Sequence, residues 1–210
     1  MGEKSDSRSE IGCGNAKVTE TTCKREDSAG YIILMAACYI GNLDLVKRIL
    51  DVGADVNYQT ASGMYALMCA AEGNQLEIAS LLLRSGAKVD VKNHRNVTSL
   101  THSVVRGNID IVQLLLEAGA DVNSRDVDDM TVLMYAVRCG TADIVQILLD
   151  KNPKVDSQDK YGATALMYAV LLGNIDIVQM LLDKKAKVDS QDEDGATALI
   201  HAILLGNSIS

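Results

Sequence analysis

The residues of this chain able to do chemistry are its histidines, cysteines, hydroxyls and clustered carboxylates, and their spacing decides what they can do. His102 and Ser103 are adjacent, a potential base beside a hydroxyl nucleophile. Side chains one apart on a helix point in different directions, so the two do not converge. His201 falls in a helical stretch and reads as a packing or surface residue. Five cysteines, Cys13, Cys23, Cys38, Cys69 and Cys139, are an odd number and form no C-x-x-C pair. Zinc needs three or four converging ligands, and no local spacing here offers them. The cysteines read as free thiols of a reducing compartment, which points to the cytoplasm and leaves the nucleus open. Gly12-Cys13-Gly14 is too short for a phosphate-cradling loop and lacks the flanking strand and helix. Asp126, Asp128 and Asp129, and the run Asp192-Glu193-Asp194, are carboxylate clusters. Such pairs do acid–base work in a closed cleft, but these fall in polar turns open to water. The spaced oxygen ligands of a calcium loop are not there. With no nucleophile, base and oxyanion donor in one place, the expectation is no enzyme, no cofactor and no metal.

The elements that must carry these residues follow a register. Gly30, Gly63, Asn96, Asp129, Gly162 and Gly195 are each 33 residues apart, and the segments that start there resemble one another, GATALMYAVLLG from Gly162 and GATALIHAILLG from Gly195 among them. A fixed period of this length means stacked supersecondary units rather than one globular core. The third unit shows the plan. Leu100 and Val104 mark a short helix, and Gly107 ends it in a conformation that costs glycine least. Ile109 to Leu116 is a second helix, with Ile111, Val112, Leu115 and Leu116 on one stripe, and Gly119 ends it. Ala120 to Asn123 reads as a short extended piece leading into a polar turn from Ser124 to Asp129. A flat, two-sided unit of this kind buries its faces only by stacking on neighbours.

Composition agrees. The chain has 210 residues, 48% hydrophobic, with no Trp or Phe, which suits small helices packed closely through Leu, Ile, Val, Ala and Met. The longest apolar runs, such as Tyr31–Ala37, fall far short of the roughly 20 residues that span a bilayer, so no membrane partner is expected. The net charge of -8 opposes nucleic-acid binding, which needs a basic stripe, and mildly favours a partner with basic groups. Residues 1–27 carry few large apolar groups and read as a disordered polar tail. Residues 28–210 read as the repeat domain, with 22 acidic and 15 basic residues. Asp27, Asn93, Asp126, Asp159 and Asp192 form a column whose short polar side chains can bond the hairpin turn, a role in the fold.

On these residues the chain from roughly Asp27 onward resembles the ankyrin repeat family. GATALM from Gly162 and GATALI from Gly195 stand for the family's Gly-x-Thr-Pro-Leu-His segment, and IDIVQLLLEAGADVN from Ile109 to Asn123 for its second-helix pattern. Leu45-Val46, Ile78-Ala79, Ile144-Val145 and Ile177-Val178 repeat the paired apolar positions. The resemblance implies an all-α solenoid of five full units and a truncated sixth. The turn proline is missing throughout, and Met35, Met68, Thr101, Met134, Met167 and Ile200 replace the histidine that ties neighbouring loops, which implies looser hairpins and lower stability. Asn152 and Lys185 replace a turn glycine, so either the backbone is strained there or the turn is rebuilt. After Gly206 only four residues remain, which would leave Leu199, Ala202 and Ile203 under-covered. Three readings are open: a fragment or short isoform, a frayed half unit, or coverage by a partner.

The resemblance also implies a function: a non-catalytic scaffold or adaptor, a monomer that binds another protein on hairpin tips and the inner face of the first helices. The alternative is a regulatory ankyrin fragment of a larger enzyme or channel. Carried over by position, the last two slots of the first helices hold Tyr39 and Ile40, Glu72 and Gly73, Val105 and Arg106, Arg138 and Cys139, and then Leu171-Leu172 and Leu204-Leu205; these slots tolerate polar residues such as Glu72, Arg106 and Arg138. With Tyr161 above and Glu193 and Asp194 at the rim, these four leucines are the candidate patch for a partner's apolar side chain and a nearby Lys or Arg. One Leu of each pair turned into the stack is the competing reading. Some ankyrin proteins are hydroxylated on a hairpin Asn that follows Val, with Leu eight residues before it. Asn123, after Val122 and with Leu115 at that spacing, is the candidate.

Overall fold

The computed structural model describes residues 28–207, with side-chain burial defined for residues 30–204. The tail at 1–27, with Cys13, Cys23 and Asp27, lies outside the described residues, as do the side chain of Leu205 and residues 208–210. Eleven helices run through the described part: α1 (Ser28–Ile40), α2 (Leu43–Asp51), α3 (Ala66–Glu72), α4 (Leu76–Arg84), α5 (Ser99–Arg106), α6 (Ile109–Glu117), α7 (Val132–Cys139), α8 (Ala142–Asp150), α9 (Ala165–Leu171), α10 (Ile175–Asp183) and α11 (Ala198–Asn207). The only strand-like pairing among the described residues is an isolated bridge, Arg125 to Thr131, at the base of a hairpin. The chain is therefore all-α. No described helix is long and apolar enough to cross a membrane.

The helices form two layers. Odd-numbered helices pack on odd-numbered neighbours, α1 on α3, α3 on α5 and so on to α11, and the even-numbered helices follow behind. The periodic apolar residues lie between the layers. In α6 the buried residues are Ile111, Val112, Leu115 and Leu116, the stripe read from spacing. Thr98, Thr131 and Thr164 begin the first helices of their units, each accepting a backbone N–H three residues on. Such a cap contributes about 1 kcal/mol. The methionines in the family's histidine slot are core residues: Met68, Met134 and Met167 are buried. The Met134 and Met167 sulfurs also accept the backbone N–H of Thr131 and Thr164 at 3.4 Å.

Three details differ from the sequence reading, and a fourth, left between two alternatives there, is decided. The hairpins are tied rather than loose. Val127 N–H donates to Arg95 O at 3.0 Å, Lys160 N–H to Asp128 O at 3.0 Å, and Glu193 N–H to Tyr161 O at 2.8 Å. Gln158 Nε2 and Arg125 Nη1 reach the carbonyls of Gln191 and Gln158 in the next hairpins, so backbone and long polar side chains supply the ties that histidine was expected to make. Next, Val122 and Asn123 form a turn rather than an extended piece, closed by Ser124 N–H on Asp121 O at 3.0 Å. Gly30 lies inside α1, because the first unit begins as helix where the others have a hairpin. Last, the second turn is not rebuilt at Lys185. Its φ is +62° and that of Asn152 +52°, the same left-handed region as the glycines of that slot.

At the C-terminal end Leu199 is 67% exposed and Ile203 53%, and Ala202 is exposed too. An apolar groove of about 480 Å³ runs there between Leu166, Val170, Val178, Leu182, Val188 and Leu199.

Candidate partner-binding face

Each hairpin is built on one polar residue. Asp126 Oδ1 accepts the N–H groups of Asp128 and Met130, both at 2.9 Å, and Asp159 Oδ1 those of Tyr161 and Ala163, both at 2.9 Å. Asp192 Oδ1 accepts from Asp194 at 3.1 Å and Ala196 at 2.9 Å. An ionised carboxylate has lone pairs to spare. Its second oxygen ties the hairpin to the first helix: the Tyr135 hydroxyl donates to Asp126 Oδ2 at 2.6 Å, the Tyr168 hydroxyl to Asp159 Oδ2, and His201 Nε2 lies 2.7 Å from Asp192 Oδ2. Burial and this bond to a carboxylate push the Tyr135 and Tyr168 phenols up to about 12. Burial pulls the Asp192 carboxyl up, yet the His201 bond and the two backbone N–H groups hold it below the usual carboxylate range. In the second unit Thr60 takes over, its hydroxyl oxygen accepting Met64 N–H at 3.0 Å. Sequence reading missed Thr60 because it is no Asp or Asn, although it sits in the same column. It also missed the tyrosines, whose signal was their fixed spacing, nine residues after each Asp.

A second column links units. Asn57, Asp90, Asn123 and Asp156 each accept, through Oδ1, a backbone N–H 31 residues on, in the following unit. Asn123, the hydroxylation candidate, is half-buried, and its Oδ1 accepts Lys154 N–H at 2.7 Å.

The residues screened for chemistry do not assemble. Ser103 is buried and its hydroxyl donates to Leu100 O at 2.8 Å. His102 Nε2 is enclosed without a hydrogen-bond partner, and Nδ1 stands 4.0 Å from Glu72. Burial lowers the His102 imidazole against the pull of Glu72. Cys38 and Cys69 are buried thiols, the first pushed up to about 12 and the second to about 11, mainly by burial, which makes them poor nucleophiles. Among the described residues no His, Cys, Asp and Glu group has the arrangement of a metal site. Asp128 is held by Lys160 at 2.7 Å and Arg95 at 3.7 Å, and Asp129 faces Arg125 at 3.7 Å. These carboxylates serve the hairpins.

The face made by hairpin tips and first-helix ends is mixed along the stack, with Tyr39, Ile40 and Val105 exposed among the earlier first-helix ends. In the second and third units Glu72 pairs with Arg106 across the repeat boundary. The next slot after Glu72 is Gly73, where an added Cβ would stand 2.1 Å from Tyr39 O, so the first helices approach too closely there for any side chain. In the fourth unit Arg138 is exposed and makes no ion pair among the described residues. Its guanidinium lies 5.6 Å from the Tyr168 ring centroid, a cation–π contact. In the fifth unit Leu171, the last residue of α9, is 41% exposed and Leu172, its C-cap, 55%. The pair does not split with one Leu in the core. Leu171 within the helix and Leu172 at its cap are both exposed, and the chain turns away in the left-handed conformation at Gly173. Tyr161 is 49% exposed on the tip above, and Leu204 on α11 is 58% exposed. Glu193 and Asp194 are exposed and make no ion pair among the described residues. Leu205 is in α11, with its side chain outside the described residues.

Comparison with known proteins bears on what this repeating geometry is. No curated protein matches the chain. The family model described as ankyrin repeats (3 copies) matches residues 34–126 and again residues 125–192. Those two spans take in α2 to α10 with the hairpins and turns between them. The chain belongs to the ankyrin repeat family.

Proposed function

We propose that this chain is a scaffold or adaptor that holds a protein partner on the face formed by its hairpin tips and first helices, in the fourth to sixth units. Ankyrin repeats are generally protein–protein interaction modules and typically non-catalytic. The observation that carries the reading is the outward pair Leu171 and Leu172, with Leu204 exposed in the following unit and Tyr161 exposed on the tip above. Two leucines side by side in solvent do nothing for the fold that Arg or Glu would not do, whereas in an interface each buried leucine contributes about 1.5–3 kcal/mol. Tyr161 extends the patch, and the free carboxylates of Glu193 and Asp194 suit a Lys or Arg of the partner. The chain acts as a monomer in the cytoplasm or nucleus, where its thiols stay reduced.

The test is affinity capture with the intact chain beside the Leu171→Arg/Leu172→Arg variant. Both positions are exposed, so helicity by circular dichroism should match the parent. Proteins held by the parent should be lost from the variant, and an unchanged set would sink the reading.

A further inference from the structure

We propose that the leucine patch accepts its partner in one orientation only, set by a partner carboxylate that meets Arg138. This rests on the reading of the patch as the binding face, and adds the partner's acidic group and its direction along the stack.

Arg138 is the last residue but one of α7, with its side chain in solvent, and its guanidinium lies over Tyr168 of α9, 5.6 Å from the ring centroid. Tyr168 and Leu171 are three apart on α9 and share a face. Arg138 therefore reaches across the unit boundary onto the same helix face that presents the leucines. Tyr168 is a fixed platform, because its hydroxyl is bonded to Asp159. A cation held over a ring loses little freedom when it takes a ligand.

The other charges nearby are already used. Glu72 and Arg106 neutralise one another, and Arg95 and Lys160 both face Asp128. Arg138 on one side and Glu193 with Asp194 on the other make no ion pair among the described residues. The face is thus polarised, a cation in the fourth unit, leucines in the fifth and carboxylates on the sixth hairpin. A protein segment carrying acid, aliphatic and basic side chains in that order along the stack is complementary. Reversed, the same segment sets its acid against Glu193 and its base against Arg138, which like-charge repulsion opposes. Adjacent helices stand about 10 Å apart, so the acid and base of the partner should lie about 20 Å apart along the stack.

The test uses peptides selected from a displayed library of random 16-residue segments against the full 210-residue chain. Selected peptides should contain an Asp or Glu flanking an aliphatic cluster. Arg138→Glu should weaken them about tenfold. Replacing the peptide's acid by Lys should restore binding to the Arg138→Glu variant and weaken it to the parent, a charge swap that no structural role of Arg138 would produce. Equal binding of the original peptides to parent and Arg138→Glu overturns the orientation rule. If those peptides are still lost from Leu171→Arg/Leu172→Arg, the patch survives without it. If the leucine variant binds them as the parent does, the patch reading itself fails.

Discussion

Lys185 does what a lysine seldom does. It occupies a left-handed backbone position, φ +62°, where the equivalent slots in earlier units hold Gly53, Gly86, Gly119 and Asn152. The Cβ of an L-residue crowds the following carbonyl there, at a cost of about 1–2 kcal/mol. Glycine removes that strain and gives back about 0.4–1 kcal/mol through a freer unfolded chain. Lys185→Gly should therefore stabilise the protein by about 0.5–1 kcal/mol, read as a higher urea midpoint. A lower midpoint would mean that the lysine side chain contributes more than its backbone costs.

The hairpin and the first helix of a unit are one mechanical element because of the carboxylate between them. Asp126 and Asp159 bind their own turn through one oxygen and Tyr135 or Tyr168 through the other. The phenols are held up to about 12 by burial and by this bond. A group whose folded value lies above its unfolded value of 10.0 adds stability that is complete below pH 10 and is lost as pH rises through the folded value. Alkaline titration followed by tyrosinate absorbance should show two of the seven tyrosines ionising late, near pH 12. Tyr135→Phe and Tyr168→Phe should each delete one late step. If neither substitution removes a late step, the tie between hairpin and helix is not made. Tyr135 and Tyr168 were readable only as part of a helical stripe, since nothing in a one-dimensional period says that residues nine apart will touch.

Over the whole molecule, each layer is stabilised by the two beside it, so stability should fall from the middle of the stack to its ends. Leu100 and Leu133, in inner units, are both 1% exposed, whereas Leu199 of α11 is 67% exposed. Hydrogen exchange should be slowest in α5 to α8 and fastest in α11. Uniform protection from α1 to α11 would show that the molecule opens as one unit instead of layer by layer.

The 33-residue register, the helix pairs and the apolar stripe of α6 were legible in the chain because they depend on local periodicity, and burial follows periodicity wherever units repeat. The Asp column was legible too, since a short carboxylate beside a turn has few other uses. The bonds between units were not. Asn57, Asp90, Asn123 and Asp156 each meet a partner 31 residues away, and the hairpins expected to be loose are joined through backbone groups that carry no side-chain signature. Nor did spacing tell which way Leu171 and Leu172 face or where Arg138 reaches. Those depend on the angle at which one helix leaves its turn and on the neighbour it lies against, which the order of residues along a chain leaves open and close packing in three dimensions settles.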